Sequence, residues 1–232
     1  TGDIATLASE IEVALEQAVT RADAQRVFRD MRERVEVRVI QATRLLFEGE
    51  FADILLEARK GNINRRRWAM LTRDLIRRWG RQAYRDGLQD GGVDPDELSD
   101  DDGEEISRLI RAQSQYVTRL GEEVFRAITD GQAEGKPAMW FNRSIQPFYD
   151  AGLLSADANG MYEWVLGPTV EHCRTCLGAS TQRHRLKSWH KNGILPQNTG
   201  HREMICGGFN CKCRLVRVNG RARGRLDRIP TA

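Results

Sequence analysis

The chain has 232 residues, of which 40% are hydrophobic and 30% charged, with a formal charge of +3; it can bury a real core as one domain or two. It holds no run of eighteen apolar residues, which excludes a hydropathic transmembrane helix, and "TGDIATLASEIEVALEQ" lacks the basic flank and apolar stretch of a signal peptide. An intracellular setting with reduced thiols is expected.

The charge is uneven. Residues 137–232 carry 14 Lys and Arg against 6 Asp and Glu, whereas residues 1–136 carry 22 against 27. A basic C-terminal part suits an anionic partner or an acidic docking surface.

In chain order, the first third reads as helix. Ile4, Leu7, Ile11 and Leu15 keep three-and-four spacing, and Val27, Met31 and Val35 repeat it. A second helix is expected over about 66–86, with Trp68, Leu71, Leu75 and Trp79 on one face as core residues. The Gly- and Asp-rich stretch 87–105 breaks the periodicity and reads as an acidic loop. Its spacing does not match a calcium-binding loop, and acids ahead of a helix serve as caps and dipole partners. A third helix follows, striped by Ile106, Ile110, Val117, Leu120, Val124 and Ile128, and the Gly and Pro of "TDGQAEGKP" stop it. One more short helix is expected over 138–150, around Pro147.

After Gly160 the texture changes to short β-like runs, "MYEWVLG", "QRHRLKSW" and "CRLVRV", separated by Gly, Pro and Asn. The expected fold is therefore a mainly α N-terminal region, 1–136, followed by a small α+β zinc-binding domain with short strands, 137–219. The basic tail 220–232 is expected to have no fixed structure.

Five cysteines stand in the pattern Cys173-x2-Cys176, then Cys206-x4-Cys211-x-Cys213. Their odd number argues against a disulfide framework. A two-residue spacer lets two thiolates of one turn face a tetrahedral ion, and the distant cluster can close the site with two more, so structural zinc is the expected occupant. Gly207 and Gly208 allow the tight backbone such a turn needs. Cys206 with Cys211 makes the more open chelating loop, which favours Cys173, Cys176, Cys206 and Cys211, with Cys213 able to replace either of the last two. Four thiolates leave no position for water, so the site holds structure and no catalytic residue is assigned. A zinc-ribbon nucleic-acid-binding module is an alternative reading, and a metal-dependent nuclease using His190 and His201 a further one.

The blocks "YEWVLGPTVEHCRTCLGAS", "LKSWHKNGILPQ" and "CGGFNCKCRL" resemble the C-terminal region of bacteriophage head-morphogenesis proteins, the minor head or minor capsid proteins similar to the F protein of phage Mu. Cys173 and Cys176 match the first pair of that family, Cys211 and Cys213 the terminal Cys-x-Cys, and Cys206 the variable His or Cys before it. The resemblance covers roughly residues 137–215; the His-Pro common before the terminal cysteines is absent here. It implies a non-enzymatic component of a tailed-phage head at the portal vertex or capsid interior, found in the virion and, during assembly, in the host cytoplasm. It implies the portal protein or the major capsid protein as partner, with neither a membrane nor a small-molecule substrate. An acidic helical half and a basic half would suit a place between a protein assembly and packaged DNA. The residues expected to meet that DNA are Arg183, Arg185, Lys187, Lys191, Arg214, Arg217, Arg221, Arg223 and Arg225, with salt-dependent, sequence-independent contacts.

Overall fold

The computed structural model describes residues 43–129, 136–167, 171–197, 204–206, 211 and 213–231, all within one compact unit, 43–232. The stripes at Ile4–Leu15 and Val27–Val35 lie outside the described residues.

Helix α1 is described over 43–59. Phe47, Phe51, Leu55 and Ala58 recur at three- and four-residue spacing and are all buried, the pattern of a helix with one apolar stripe. Helix α2, Arg65–Gly91, starts at Asn64, whose side chain accepts from Arg67 N at 2.9 Å. It ends at Gly92 with φ 90°, where Gly92 N donates to Gln89 O and Val93 N to Leu88 O. This paired closure is a Schellman cap, and it needs the left-handed backbone that glycine adopts freely. Trp68 and Leu75 are buried as the sequence predicts, while Leu71 and Trp79 are half-buried.

Helix α3, Asp100–Thr129, carries Asp100, Asp101 and Asp102 in its first turn. Ser99 and Asp102 cap it reciprocally: Asp102 N donates to Ser99 Oγ at 3.2 Å, and Ser99 N to Asp102 Oδ2 at 3.0 Å. The loop expected over 87–105 is therefore only 92–99. Its two ends belong to helices, because a Schellman cap on one side and a capping box on the other hold glycines and acids in regular backbone.

The helix expected over 138–150 is two helices, α4, Lys136–Ser144, and α5, Gln146–Asp157. Pro147 begins the second, in the first turn where a missing N–H costs nothing. The first core joins α1, α2 and α3 to Trp140, Phe141, Ile145 and Phe148, so it runs past the break read at 136/137. Helices α2 and α5 touch backbone to backbone. A Cβ on Gly87 would meet Tyr149 O at 2.2 Å, and one on Gly152 would meet Tyr84 O at 2.1 Å.

Strand β1, Met161–Val165, is central in a three-stranded antiparallel sheet of order β2, β1, β3, with β2 at Arg183–Arg185 and β3 at Arg214–Arg217. Tyr162 and Trp164 face the second core, which also holds Leu153, Leu186, Trp189, Ile194 and Leu195. Only three residues of "QRHRLKSW" are strand, because Leu186 and Trp189 lie one helical turn apart and go into helix α7, Leu186–Lys191; helix α6, Arg174–Ala179, carries Cys176. Tyr149 and Leu153 of α5 take part in the packing of the second core, and Tyr149 also packs on the first.

The tail departs from the expectation of no fixed structure. Arg223 pairs with Arg183, a 3-10 turn spans Leu226–Arg228, and Ile229 is 5% exposed. Buried Ile229, half-buried Leu226 against the second core and the backbone pairing of Arg223 tie to the fold a segment that its charge alone would leave solvated. No helix among the described residues is long and apolar enough to cross a membrane.

Candidate metal centre

All five cysteines converge. Cys173 ends in extended backbone at the N-cap of α6, and its Sγ accepts from Cys176 N at 3.4 Å, which aims both thiols of the turn the same way. Cys173 and Cys176 lie with Sγ atoms 3.4 Å apart, and Cys176 and Cys211 3.9 Å apart. Ligands 2.3 Å from a tetrahedral zinc lie about 3.8 Å from one another, so these spacings fit a shared ion. They are far beyond the roughly 2.05 Å of a disulfide, and no disulfide joins any of the five.

The thiols form two groups, Cys173 with Cys176 and Cys206, and Cys176 with Cys211 and Cys213, each with ligand atoms within 4.8 Å of one another. Cys176 belongs to both. The quartet favoured by spacing, Cys173, Cys176, Cys206 and Cys211, is thus divided between them, and Cys211 sits with Cys213. These clusters could hold a metal ion. Cys176, Cys211 and Cys213 are buried and join the second core; Cys173 and Cys206 are half-buried at its edge.

Their protons are shared unequally. Bonds to Cys206, Cys211 and Cys213, with burial, push the Cys176 thiol far up. For Cys211, the bond with Cys176 pulls down, but those with Cys206 and Cys213 and burial leave it raised. Bonds from Cys176 and Cys211 bring Cys213 down to about 2.

Thr175, fully buried between the two cysteines of the turn, ties the cluster to its surroundings. Its Oγ1 donates to Pro230 O at 2.7 Å and accepts from Ile205 N at 3.1 Å, linking the Cys173–Cys176 turn to the residue before Cys206 and to the tail. Gln197, held at φ 62°, donates from Nε2 to Cys213 O at 3.0 Å. Sequence reasoning missed both residues, because neither type signals a ligand; the positive φ of a residue other than glycine marks a backbone over-determined by its neighbours. His172 Nδ1 lies 3.8 Å from Cys213 Sγ.

His184 stands edge-on to Trp189, ring centres 5.2 Å apart, and burial lowers its pKa. His190 is half-buried on α7, while His201, Gly207 and Gly208 lie outside the described residues.

Eight of the nine basic residues expected to meet DNA are exposed, and Arg183 is half-buried. Arg183 is ion-paired with Glu163, Arg217 with Asp157 at 2.9 Å, and Arg225 with Asp227 at 2.7 Å. Arg185, Lys187, Lys191, Arg214, Arg221 and Arg223 are exposed.

No family model matches the chain, and no curated protein or solved structure is significantly similar to it.

Proposed function

We propose that this chain is a non-enzymatic assembly component of a tailed-bacteriophage head, of the minor capsid kind, with one structural zinc ion in its cysteine cluster. The observation that carries the reading is the convergence of Cys173 and Cys176 with Cys206, Cys211 and Cys213 in one cluster, since these are the positions through which the sequence resembles that family. Zinc suits a set of soft thiolates, with His172 beside it, and supplies cross-linking of two distant segments and no open coordination position. Cys176 is the ligand common to both groups in this reading.

In this reading the helical part offers surface to the portal or major capsid protein. The basic part meets packaged DNA. The chain belongs to the virion and passes through the host cytoplasm during assembly.

Quantitative mass spectrometry of purified heads tests the proposal. The expected result is a low, fixed ratio of this chain to portal protein; absence from heads overturns it. Metal analysis of the purified chain is expected to give one zinc per chain.

A further inference from the structure

We infer that the outer face of the three-stranded sheet is a binding surface for the phosphate backbone of duplex nucleic acid, built from Arg183, Arg185, Arg214 and Arg223. The proposal deepens the DNA contact of the proposed function and rests on it only for the choice of DNA as the nucleic acid.

The register assembles this face. Tyr162 and Trp164 point into the core, at 3% and 1% exposure, so Met161, Glu163 and Val165 face outward. Met161 pairs with Arg185, Glu163 with Arg183 and Val216, and Val165 with Arg214. Arg223 pairs with Arg183 through two backbone hydrogen bonds of 2.8 Å, which puts both side chains on the same side. The strand register therefore puts four guanidinium groups and the Glu163 carboxylate on one face. By contrast Arg217 pairs with Tyr162, on the core side, and is tied to Asp157. Arg225 is tied to Asp227. The register thus selects four of the nine basic residues singled out in the sequence.

The arrangement costs the fold something. Arg183 and Arg223 are directly opposed, a like-charge pair that is destabilising across strands, and Glu163 offsets it from one side only. A repeating anion relieves this. The arginines step by about 5.5 Å across the Arg183 and Arg223 pair and about 6.8 Å along β2, on a surface whose other strand side chains, Met161, Glu163, Val165 and Val216, include no aromatic ring. Such a surface offers no platform on which bases could stack, and it matches a regular chain of phosphates, readable without sequence, better than the irregular carboxylates of an acidic protein.

The test is fluorescence anisotropy of the full chain with a 30-base-pair duplex across a salt series. R185S/R223S is expected to flatten the salt dependence by about two phosphate contacts, each worth a slope of about 0.9, while R217S/R225S leaves it unchanged. Glu163→Gln, which frees Arg183, is expected to tighten binding and steepen the slope by about one, a gain that misfolding cannot produce. Arg223→Ser is expected to melt no lower than the parent chain. Equal slopes for the two arginine variants, weaker binding by Glu163→Gln, or preference for polyglutamate over the duplex overturns the proposal. Incorporation into heads is scored separately, so loss of duplex binding with normal incorporation removes this surface and leaves the assembly reading standing.

Discussion

Asp102 shows how much one buried carboxylate can hold together. Burial alone would raise its pKa, but hydrogen bonds from Ser99, Tyr84 and Ser155 outweigh that and bring it down to about 2. A group depressed in the folded state stabilises above its unfolded pKa of about 4, and the contribution fades as pH falls through about 2. Asp102→Asn is therefore expected to cost roughly 2 kcal/mol at pH 7, at 1.36 kcal/mol per pKa unit, and almost nothing at pH 2, by urea denaturation against the parent. Asp86, raised by its burial, titrates in both proteins and cancels in the difference. Thr175 is the equivalent residue of the cysteine cluster. Thr175→Val keeps its shape and removes both hydrogen bonds, at an expected cost of about 1–3 kcal/mol, with faster hydrogen exchange at the Ile205 amide as the local sign.

Among the elements, the crossing of α2 and α5 sets the tightest steric demand. Glycine inside a helix costs about 0.5–1 kcal/mol relative to alanine, yet Gly87 and Gly152 occupy helix interiors because their neighbours leave no room for a Cβ. Gly152→Ala is expected to destabilise by about 1–3 kcal/mol through overpacking. Gly103→Ala on α3, where nothing lies within 4 Å, is expected to stabilise by about 0.5–1 kcal/mol; thermal unfolding separates the two. The long helices were legible because Trp68 to Leu75 and Ile106 to Val124 extend over several turns of one period. The split of "QRHRLKSW" was not, since a three-residue strand and a six-residue helix are both shorter than any window that distinguishes the periods. The cysteine cluster was legible from spacing alone. Its division into two groups around Cys176 was not, nor was the role of Thr175, because these depend on how a distant loop and the tail return to the turn.

On the scale of the molecule, two cores meet through Tyr149 of α5, one built of long helices and the other of short segments that include the cysteines. The first has helical hydrogen bonding and an aromatic cluster, with Phe47, Phe51, Trp140 and Phe141 at 5.7–5.9 Å, and contains none of the cysteines. The second depends on the ion if the proposed zinc is present. Chelation is expected to abolish the near-ultraviolet signal of the packed Trp164 and Trp189 pair while far-ultraviolet helicity persists. Loss of both signals together would mean that the two cores unfold as one.

The hydrogen bond from Thr175 to Pro230 spans 55 residues. At about 5–20 residues per second of synthesis, the acceptor leaves the ribosome about 3–11 s after the donor. Over that interval the Cys173–Cys176 turn has been made while the parts that enclose it are still arriving, Ile205 and the later cysteines first and Pro230 last. Its thiols meet the surrounding solution first and their complete enclosure afterwards, so if the proposed zinc is bound, a growing chain passes through a stage in which metal capture competes with oxidation.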